Sequence, residues 1–286
     1  MTTAYGSSRY TGLYALATVV NALAAAGGMD LSVSVRIEMP EYAFKSRYHA
    51  IAKEIEEACE KYGVTLAELS TSRHQAVNLS AVTISGVARV PKACLAEESD
   101  IRAGQEIVLT KWVGMDGMLR IVDEKEPELK ERFAPAFLHQ IRSYREHIFA
   151  LREIDVAKAR GSSAVRQVTE GGILAALWDL AKESGMGLEL DLKKISILQE
   201  TIEVCEHYRL NPYQLTSTGC LLIITEDGEA LADELKRNQI QASVIGKVTD
   251  NNDKMLHNGE EVRYIDRPAP DEIFKIYNGG PEQWKR

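Results

Sequence analysis

The sequence predicts an α+β protein built as two domains, and three observations carry that expectation. Segments of strand periodicity and helix periodicity are mixed along the chain without strict strand–helix–strand repetition, as in α+β folds. The length of 286 residues is close to twice a domain of roughly 150. Apolar residues make up 45% and charged residues 27%, near the soluble average. That leaves material for a sizeable core and excludes a disordered chain, a collagen and a disulfide-dense miniprotein.

Each element follows from its local pattern. Leu13 to Ala26 is almost entirely apolar and predicts a helix buried on most sides, ending at Gly27-Gly28. Leu31 to Met39 alternates apolar and polar residues, as a half-buried strand does, and Pro40 ends it. From Phe44 the spacing changes: Phe44, Tyr48, Ile51, Ile55, Ala58, Cys59 and Tyr62 share one helical face, and Gly63 supplies the stop. Val64–Leu69 and Ala81–Val90 read as strands. Between them lies Ser70–Gln75, a polar stretch with His74 that reads as a loop. Pro91 to Gly104 reads as an acidic connection.

Glu106–Val113 predicts the next strand, Gly114-Met-Asp-Gly117 a turn, and Met118–Lys125 a helix. Phe133 to Arg160 is a charge-rich helical stretch. Thr169 is placed as an N-cap for a helix over Glu170–Glu183 whose stripe is Ile173, Leu174, Leu177, Leu180 and Ala181, with Gly185 as its end. Gly187–Asp191 reads as a strand, Gln199–Tyr208 as a helix and Gly219–Thr225 as a fully apolar strand. Asp227 caps a helix running to Asn238. Gln241–Val248 is a strand, Asn251–Asp253 a turn and Glu261–Ile265 a last strand.

Charge and composition narrow the function classes. A net charge of −8 offers no overall basic face for duplex nucleic acid, so no nucleic-acid partner is expected. Cys59, Cys94, Cys205 and Cys220 form no CxxC pair, and no metal site is expected. Buried thiols in a reducing cytoplasm are the simpler reading. Leu13–Gly28 has the length of a signal-peptide core, but only Arg9 precedes it as a charge and Asn21 interrupts it. It is too short to span a bilayer. A cytoplasmic chain without a membrane segment is therefore expected.

Two places invite chemistry. Val168-Thr-Glu-Gly-Gly-Ile173 begins a helix, where free N–H groups and the positive dipole end favour an anion. Gly171 and Gly172 would let a ligand approach the backbone, or else serve tight packing. Lys111-Trp-Val-Gly-Met-Asp-Gly117 runs from a strand through glycines into a helix, a geometry that can cradle phosphate. It lacks the Lys-Ser/Thr ending of a P-loop, and glycine is also ordinary turn punctuation. His49, His139, His147 and His207 show no metal spacing.

Val168-Thr-Glu-Gly-Gly-Ile-Leu-Ala-Ala-Leu-Trp-Asp-Leu-Ala181, Ser184-Gly-Met-Gly-Leu-Glu-Leu-Asp191, Leu210-Asn-Pro-Tyr-Gln-Leu-Thr-Ser-Thr-Gly219 and Ile245-Gly-Lys-Val248 together resemble the C-terminal domain of the aminoimidazole ribonucleotide (AIR) synthase superfamily. The style is that of the AIR synthase-related proteins and of the hydrogenase maturation factor that dehydrates a carbamoyl group. Thiamine-monophosphate kinase and selenophosphate synthase are more distant. The resemblance covers about residues 100–266. It continues more faintly upstream through Tyr10–Ala15, Val20–Gly27, Ala76–Asn78, Val82–Gly86 and Gly104–Gly114.

The resemblance implies an N-terminal domain over 1–95 and a C-terminal α/β sandwich domain over 96–286. The N-terminal domain would be a mixed sheet with helices that closes a barrel across a homodimer. ATP and Mg²⁺ would bind there, and an amide, carbamoyl or phosphate oxygen would be phosphorylated. Several family positions differ. The chain starts near the first long helix, so the glycine-rich segment and the strand with paired aspartates are expected to be absent. Asn-Asp becomes Asn21-Ala22, and Gly-Ala-x-Pro becomes Gly27-Gly28-Met29-Asp30. Gly-Gly-His-Thr-Glu falls on Glu68-Leu-Ser-Thr-Ser72, and His-Asp falls on Arg166-Gln167.

Mg²⁺ needs hard oxygen ligands, so the expectation is a catalytically degenerate homologue, a pseudoenzyme with no assigned catalytic residue. It would bind a small anion or a protein partner. Ligand candidates are Thr169, Glu170, Gly171, Gly172, Arg166, Lys111, Gly114, Gly117 and Asn21, with Arg166 able to meet an anion directly. The alternative is an active ATP-dependent enzyme that draws carboxylates from Asp30, Glu68, Asp116 or Glu170. A third reading is a subunit pairing with a complete homologue or a maturation partner.

Overall fold

A computed structural model describes residues 1–91 and 101–277. Cys94 and most of the Pro91–Gly104 connection lie outside the described residues. The chain divides into two compact units, one of Met1–Leu95 with Leu119–Phe149, the other of Ala96–Met118 with Ala150–Arg286.

The first unit carries a four-stranded mixed sheet, ordered β1 (Thr2–Gly6), β4 (Ser80–Arg89), β2 (Met29–Pro40) and β3 (Thr65–His74). β1 and β2 each run antiparallel to β4, and β3 runs parallel to β2. The helices α1 (Thr11–Ala25) and α2 (Lys45–Tyr62) pack together, α1 against β4 and α2 against β3. The alternation in β2 sends Val33, Val35, Ile37 and Met39 inward, all buried. They form a core with Leu16, Val20, Ile51, Ile55, Val82 and Ile84. A Cβ on Gly12 would come within 2.4 Å of Ile55 Cδ1, so this close approach of α1 to α2 requires glycine. Gly63 ends α2 in the left-handed conformation with φ 65°, and Val64 N–H bonds back to the Cys59 carbonyl.

The remainder of this unit comprises the end of α3 (Met115–Glu124), α4 (Glu126–Arg132), α5 (Pro135–Ser143) and a 3₁₀ turn over Tyr144–His147. A buried network ties α1 to this segment. Tyr14 Oη donates to Asp123 Oδ2 at 2.6 Å, and Arg145 Nη2 donates to Asp123 Oδ1 at 2.6 Å. Burial holds the Asp123 carboxyl above its ordinary range, against the pull of Arg145.

The second unit is a seven-stranded mixed sheet ordered β11 (Glu261–Tyr264), β10 (Lys254–Asn258), β7 (Gly187–Asp191), β9 (Ala242–Thr249), β5 (Glu106–Thr110), β8 (Leu221–Thr225) and β6 (Ala164–Gln167). Among these neighbours the β10–β7 pair is parallel and the rest are antiparallel. On one face Ile107, Leu109, Leu222, Ile224 and Ile245 pack with Ile173, Leu177 and Leu180 of α7 (Gly172–Ser184). The other face meets α9 (Gly228–Arg237), which contacts β5, β8 and β9 and is itself packed by α6 (Leu151–Ala159). The helices α8 (Gln199–Tyr208) and α10 (Phe274–Tyr277) also belong to this unit. The fold is α+β with a C-terminal α/β sandwich, as the sequence predicts.

Several expected boundaries move, each for a physical reason. β3 continues through Ser70–His74, where a loop is expected; these residues pair with Arg36–Pro40 on an edge strand, where polar residues are tolerated. β5 stops at Thr110 because Lys111 turns into the left-handed region at φ 57°. α3 begins at Met115, so Gly117 lies inside the helix and not in the turn. Thr169 does not cap α7. Gly171 and Gly172 are left-handed at φ 80° and 67°, which delays the helix to Gly172 with Gly171 as its cap. The stretch 133–160 is α5, a 3₁₀ turn and α6, not one helix. The elements β1, β6, β10 and α10 are not among those the sequence predicts.

The described cysteines are all free and buried. Burial pushes Cys59 up to about 11, and Cys205 and Cys220 up to about 12, so their thiolates are scarce near neutral pH. In a Cys94→Ser background at pH 8, Ellman's reagent should titrate no thiol on the minutes scale until denaturant is added. Rapid labelling of the native protein would contradict this burial.

Candidate functional site

Three of the sequence-selected residues, Gly114, Gly117 and Gly172, meet the segment Leu210–Gly219, which carries a 3₁₀ turn over Pro212–Gln214. Asn211 starts it by accepting from Tyr213 N–H at 3.1 Å. Beyond that turn the segment touches both glycine-bearing motifs.

The first motif reaches it from the end of β5. Gly114 N–H donates to Ser217 Oγ at 2.7 Å, and Gly117 N–H donates to the Thr216 carbonyl at 3.0 Å. Thr216 Oγ1 donates to Asp116 Oδ2 at 2.8 Å, both groups being buried. A Cβ on Gly114 would meet Thr201 Cγ2 at 2.8 Å and one on Gly117 would meet Leu215 Cγ at 2.3 Å. Gly117 therefore serves the close packing of α3 on this segment, and Gly114, left-handed at φ 73°, the close approach of the turn before α3 to Thr201 of α8.

The second motif reaches it from α7. Gly172 is left-handed, and a Cβ there would fall 2.5 Å from the Tyr213 carbonyl oxygen. Gly171 N–H donates to Asp271 Oδ2 at 2.7 Å. The other oxygen of that carboxylate accepts from Thr216 N–H at 3.3 Å and Ile273 N–H at 2.8 Å. Asp271 is 2% exposed. The acceptor at the start of α7 is thus a carboxyl group of the chain itself. The adjacent Glu272 accepts from Asn211 N–H at 3.2 Å and pairs with Lys275 Nζ at 2.6 Å.

The remaining candidates are also engaged. Lys111 Nζ lies 2.8 Å from Glu153 Oε1 of α6, both side chains being 5% exposed. Its N–H donates to the Gln241 carbonyl at 2.8 Å. A lysine at positive φ costs about 1–3 kcal/mol and persists only where its surroundings over-determine it; here Lys111 is held by the buried ion pair and by its N–H bond to Gln241. Cys220 Sγ donates to the Trp112 carbonyl at 2.9 Å, beside the same turn. Arg166 on β6 pairs with Glu183 of α7. Thr169 is half-buried, with its carbonyl accepting from Gly172 N–H at 3.1 Å, and Glu170 is exposed. Asn21 lies in the first unit, fully buried, and donates from Nδ2 to the Ile148 carbonyl at 2.8 Å. Asp30 and Glu68 are exposed residues of that unit, Asp30 pairing with Arg89 at 3.5 Å.

Among the described residues no group of three or more His, Cys, Asp or Glu is placed to hold a metal ion. No helix among them is long and apolar enough to cross a membrane.

Asp271 and Glu272 escape the sequence reading of the site, although a signal exists. Asp271-Glu-Ile-Phe274 has an N-cap pattern, and Asp271 does accept from Ile273 N–H ahead of α10. Its second task, bonding Gly171 a hundred residues upstream, has no local signature.

Residues 102–257 match the family model described as AIR synthase related protein, C-terminal domain. A hydrogenase expression/formation protein of Methanocaldococcus jannaschii is 22% identical over 93% of this chain and 78% of its own. Carbamoyl dehydratase HypE of Cupriavidus necator is 28% identical over 58% of this chain. That match spans 46% of the dehydratase, so the chain aligns with less than half of that relative's length. The crystal structure of E. coli HypE superimposes with a TM-score of 0.77 at 18% identity, covering 96% of this chain and 87% of that one. A structure of hydrogenase maturation protein HypE in complex with ATP gives 0.75 at 15% identity, covering 95% and 85%. At these identities the structures share the fold.

The buried ion pair gives a test of whether this hub is structural. Lys111→Met alone should destabilise the chain by about 3–5 kcal/mol, because it strands the Glu153 carboxylate. Adding Glu153→Leu should recover most of that loss in urea denaturation. A single variant as stable as the parent would show that the pair does not hold the turn.

Proposed function

Since this chain belongs to the AIR synthase-related proteins, its matched domain spanning residues 102–257, we propose that it is a catalytically degenerate member that works by binding a protein partner. The observation that carries this reading is the seat at α7. Gly171 N–H, the donor offered to an anion, is already met by the buried Asp271 carboxylate. Lys111 and Arg166, which could draw a phosphate, are paired with Glu153 and Glu183. Asp116, the buried carboxylate nearest the turn, is bonded by Thr216. The side chains that would bind a small anion thus hold the domain together, which favours a protein over a free anion as the thing bound.

A second copy is the partner this reading favours. The outward face of the four-stranded sheet lines up Thr3, Thr83, Arg36 and Ser70 across β1, β4, β2 and β3 in one row. Tyr5, 43% exposed, lies in the next row opposite Ala81. A polar face of this kind can meet its own copy about a two-fold axis. A complete homologue or a maturation partner would use the same face.

An active enzyme is the second reading, favoured by one fact: a HypE structure that shares this fold holds ATP. ATP and Mg²⁺ would then bind with carboxylates recruited from elsewhere in the chain, and an amide, carbamoyl or phosphate oxygen would be phosphorylated.

Thermal unfolding separates the two readings. A ligand that binds only the native state at a hundred times its Kd stabilises it by about 2.7 kcal/mol. The degenerate reading expects no rise in Tm at millimolar Mg·ATP and no ADP release above a protein-free blank. A rise of several degrees with Mg²⁺-dependent hydrolysis would establish the enzyme instead.

A further inference from the structure

β11 stands at the end of the seven-stranded sheet, with β10 on its inner side. All four of its residues, Glu261, Val262, Arg263 and Tyr264, are exposed. Val262 is 49% and Tyr264 62% exposed, among the few large hydrophobic side chains left open to solvent. An edge with open backbone groups is a template for another strand.

The register states which groups are open. β11 pairs with β10 through Leu256↔Arg263, His257↔Val262 and Asn258↔Glu261. Ile265 N–H donates to the Lys254 carbonyl at 2.9 Å, making that a hydrogen-bonded pair. Antiparallel ladders alternate hydrogen-bonded with non-hydrogen-bonded pairs. Arg263 and Glu261 therefore spend their backbone groups on β10, while the N–H and C=O of Val262 and Tyr264 point away from the sheet.

Only a few registers let two such edges meet antiparallel, because the open residues must face one another. Centring on Arg263 sets that cation opposite the second copy's Arg263 in a close non-hydrogen-bonded pair, which is repulsive. Centring on Tyr264 sets Arg263 against Ile265, which is 5% exposed and committed to the core. Centring on Val262 sets Glu261 opposite the partner's Arg263, and Arg263 opposite the partner's Glu261. Within one chain Arg263 Nε already donates to Glu261 Oε1 at 2.8 Å on the same strand face, so four charges would alternate in sign. On the opposite face the Val262 side chains would meet each other, with each Tyr264 on the diagonal.

We propose that β11 is a homotypic pairing edge, joining a second copy of this chain antiparallel about Val262 into one continuous sheet. The surface is independent of the sheet face invoked in the first unit, so either contact can fail without the other. The interface is small, and association through it is weak and concentration-dependent.

Val262→Pro is the sharp variant. It removes an outward N–H that β10 does not use, and proline is tolerated at such an edge position. In sedimentation velocity of the full chain from micromolar to high concentration, the wild type should gain mass through a step that V262P weakens by roughly tenfold or more, as loss of two neutral hydrogen bonds implies. Circular dichroism melts should show V262P folded. Glu261→Arg and Arg263→Glu should each weaken the step, and the double swap E261R/R263E should restore it. In a Cys94→Ser background, Val262→Cys should be the position most readily joined between copies by a short bismaleimide, ahead of Tyr264→Cys. Identical association of wild type and V262P would overturn the proposal, and so would cross-linking strongest at Tyr264→Cys. Identical association is also the outcome expected if another protein's strand, or another segment of this chain, takes the edge.

Discussion

The Asp271 carboxylate is the constraint on which the second unit depends. A carboxyl group buried to 2% exposure is tolerated only when donors replace the water it has lost. Here the donors are backbone N–H groups of Gly171, Thr216 and Ile273, from three segments distant in the sequence that also touch through Gly172–Tyr213 and Asn211–Glu272. Satisfying one carboxyl group thereby helps set where α7 begins, where the Leu210–Gly219 segment passes and where α10 starts. The left-handed glycines follow from it. Gly171 must present its N–H to the carboxylate, and Gly172 must let α7 sit against the Tyr213 carbonyl with no side chain between them.

The Lys111–Glu153 pair has the corresponding role at the end of β5. It holds the chain there in a turn that lysine would not otherwise choose, and this aims Gly114 and Gly117 at Ser217 and Thr216. Polar groups of α3, α7 and the C-terminal segment thus share one buried network, packed on the apolar sheet. In such a network each group already has an assigned partner, and an incoming anion would have to displace one. That is why an assembly of glycines, a lysine and hydroxyls, which in isolation suggests a phosphate cradle, here works as the mortar of the domain. The edge at β11 is the reverse case, where polar backbone groups are left open at the rim of the same sheet.

Much of the fold was legible because its signals are local. The strand Gly187–Asp191, the helix Gln199–Tyr208 and the Asp227 cap of α9 emerge at the residues their patterns indicate. The motifs around Val168–Ala181 and Leu210–Gly219 carry the family resemblance by themselves. What failed did so for lack of a local partner. β6 and β1 pair with strands distant in the sequence, β8 and β4, and nothing local to either segment announces that ladder. Ser70–His74 reads as a loop because an edge strand need not be apolar. The candidate site was half legible: its glycines and its lysine were found, but not the acids that engage them.

The sequence alone determined the kind of protein this is: an α+β chain of two core-forming portions, a set of helix and strand periods, and motifs that place it among the AIR synthase-related proteins. It also singled out the glycines of the two motifs as positions needing an explanation beyond helix propensity. Only the tertiary structure decided what those glycines are for. Periodicity and capping act over a few residues, whereas Asp271 meets Gly171 and Glu153 meets Lys111 across long stretches of chain. Hydrogen bonds of that kind depend on where the sheet brings the backbone, and no spacing in the sequence encodes them.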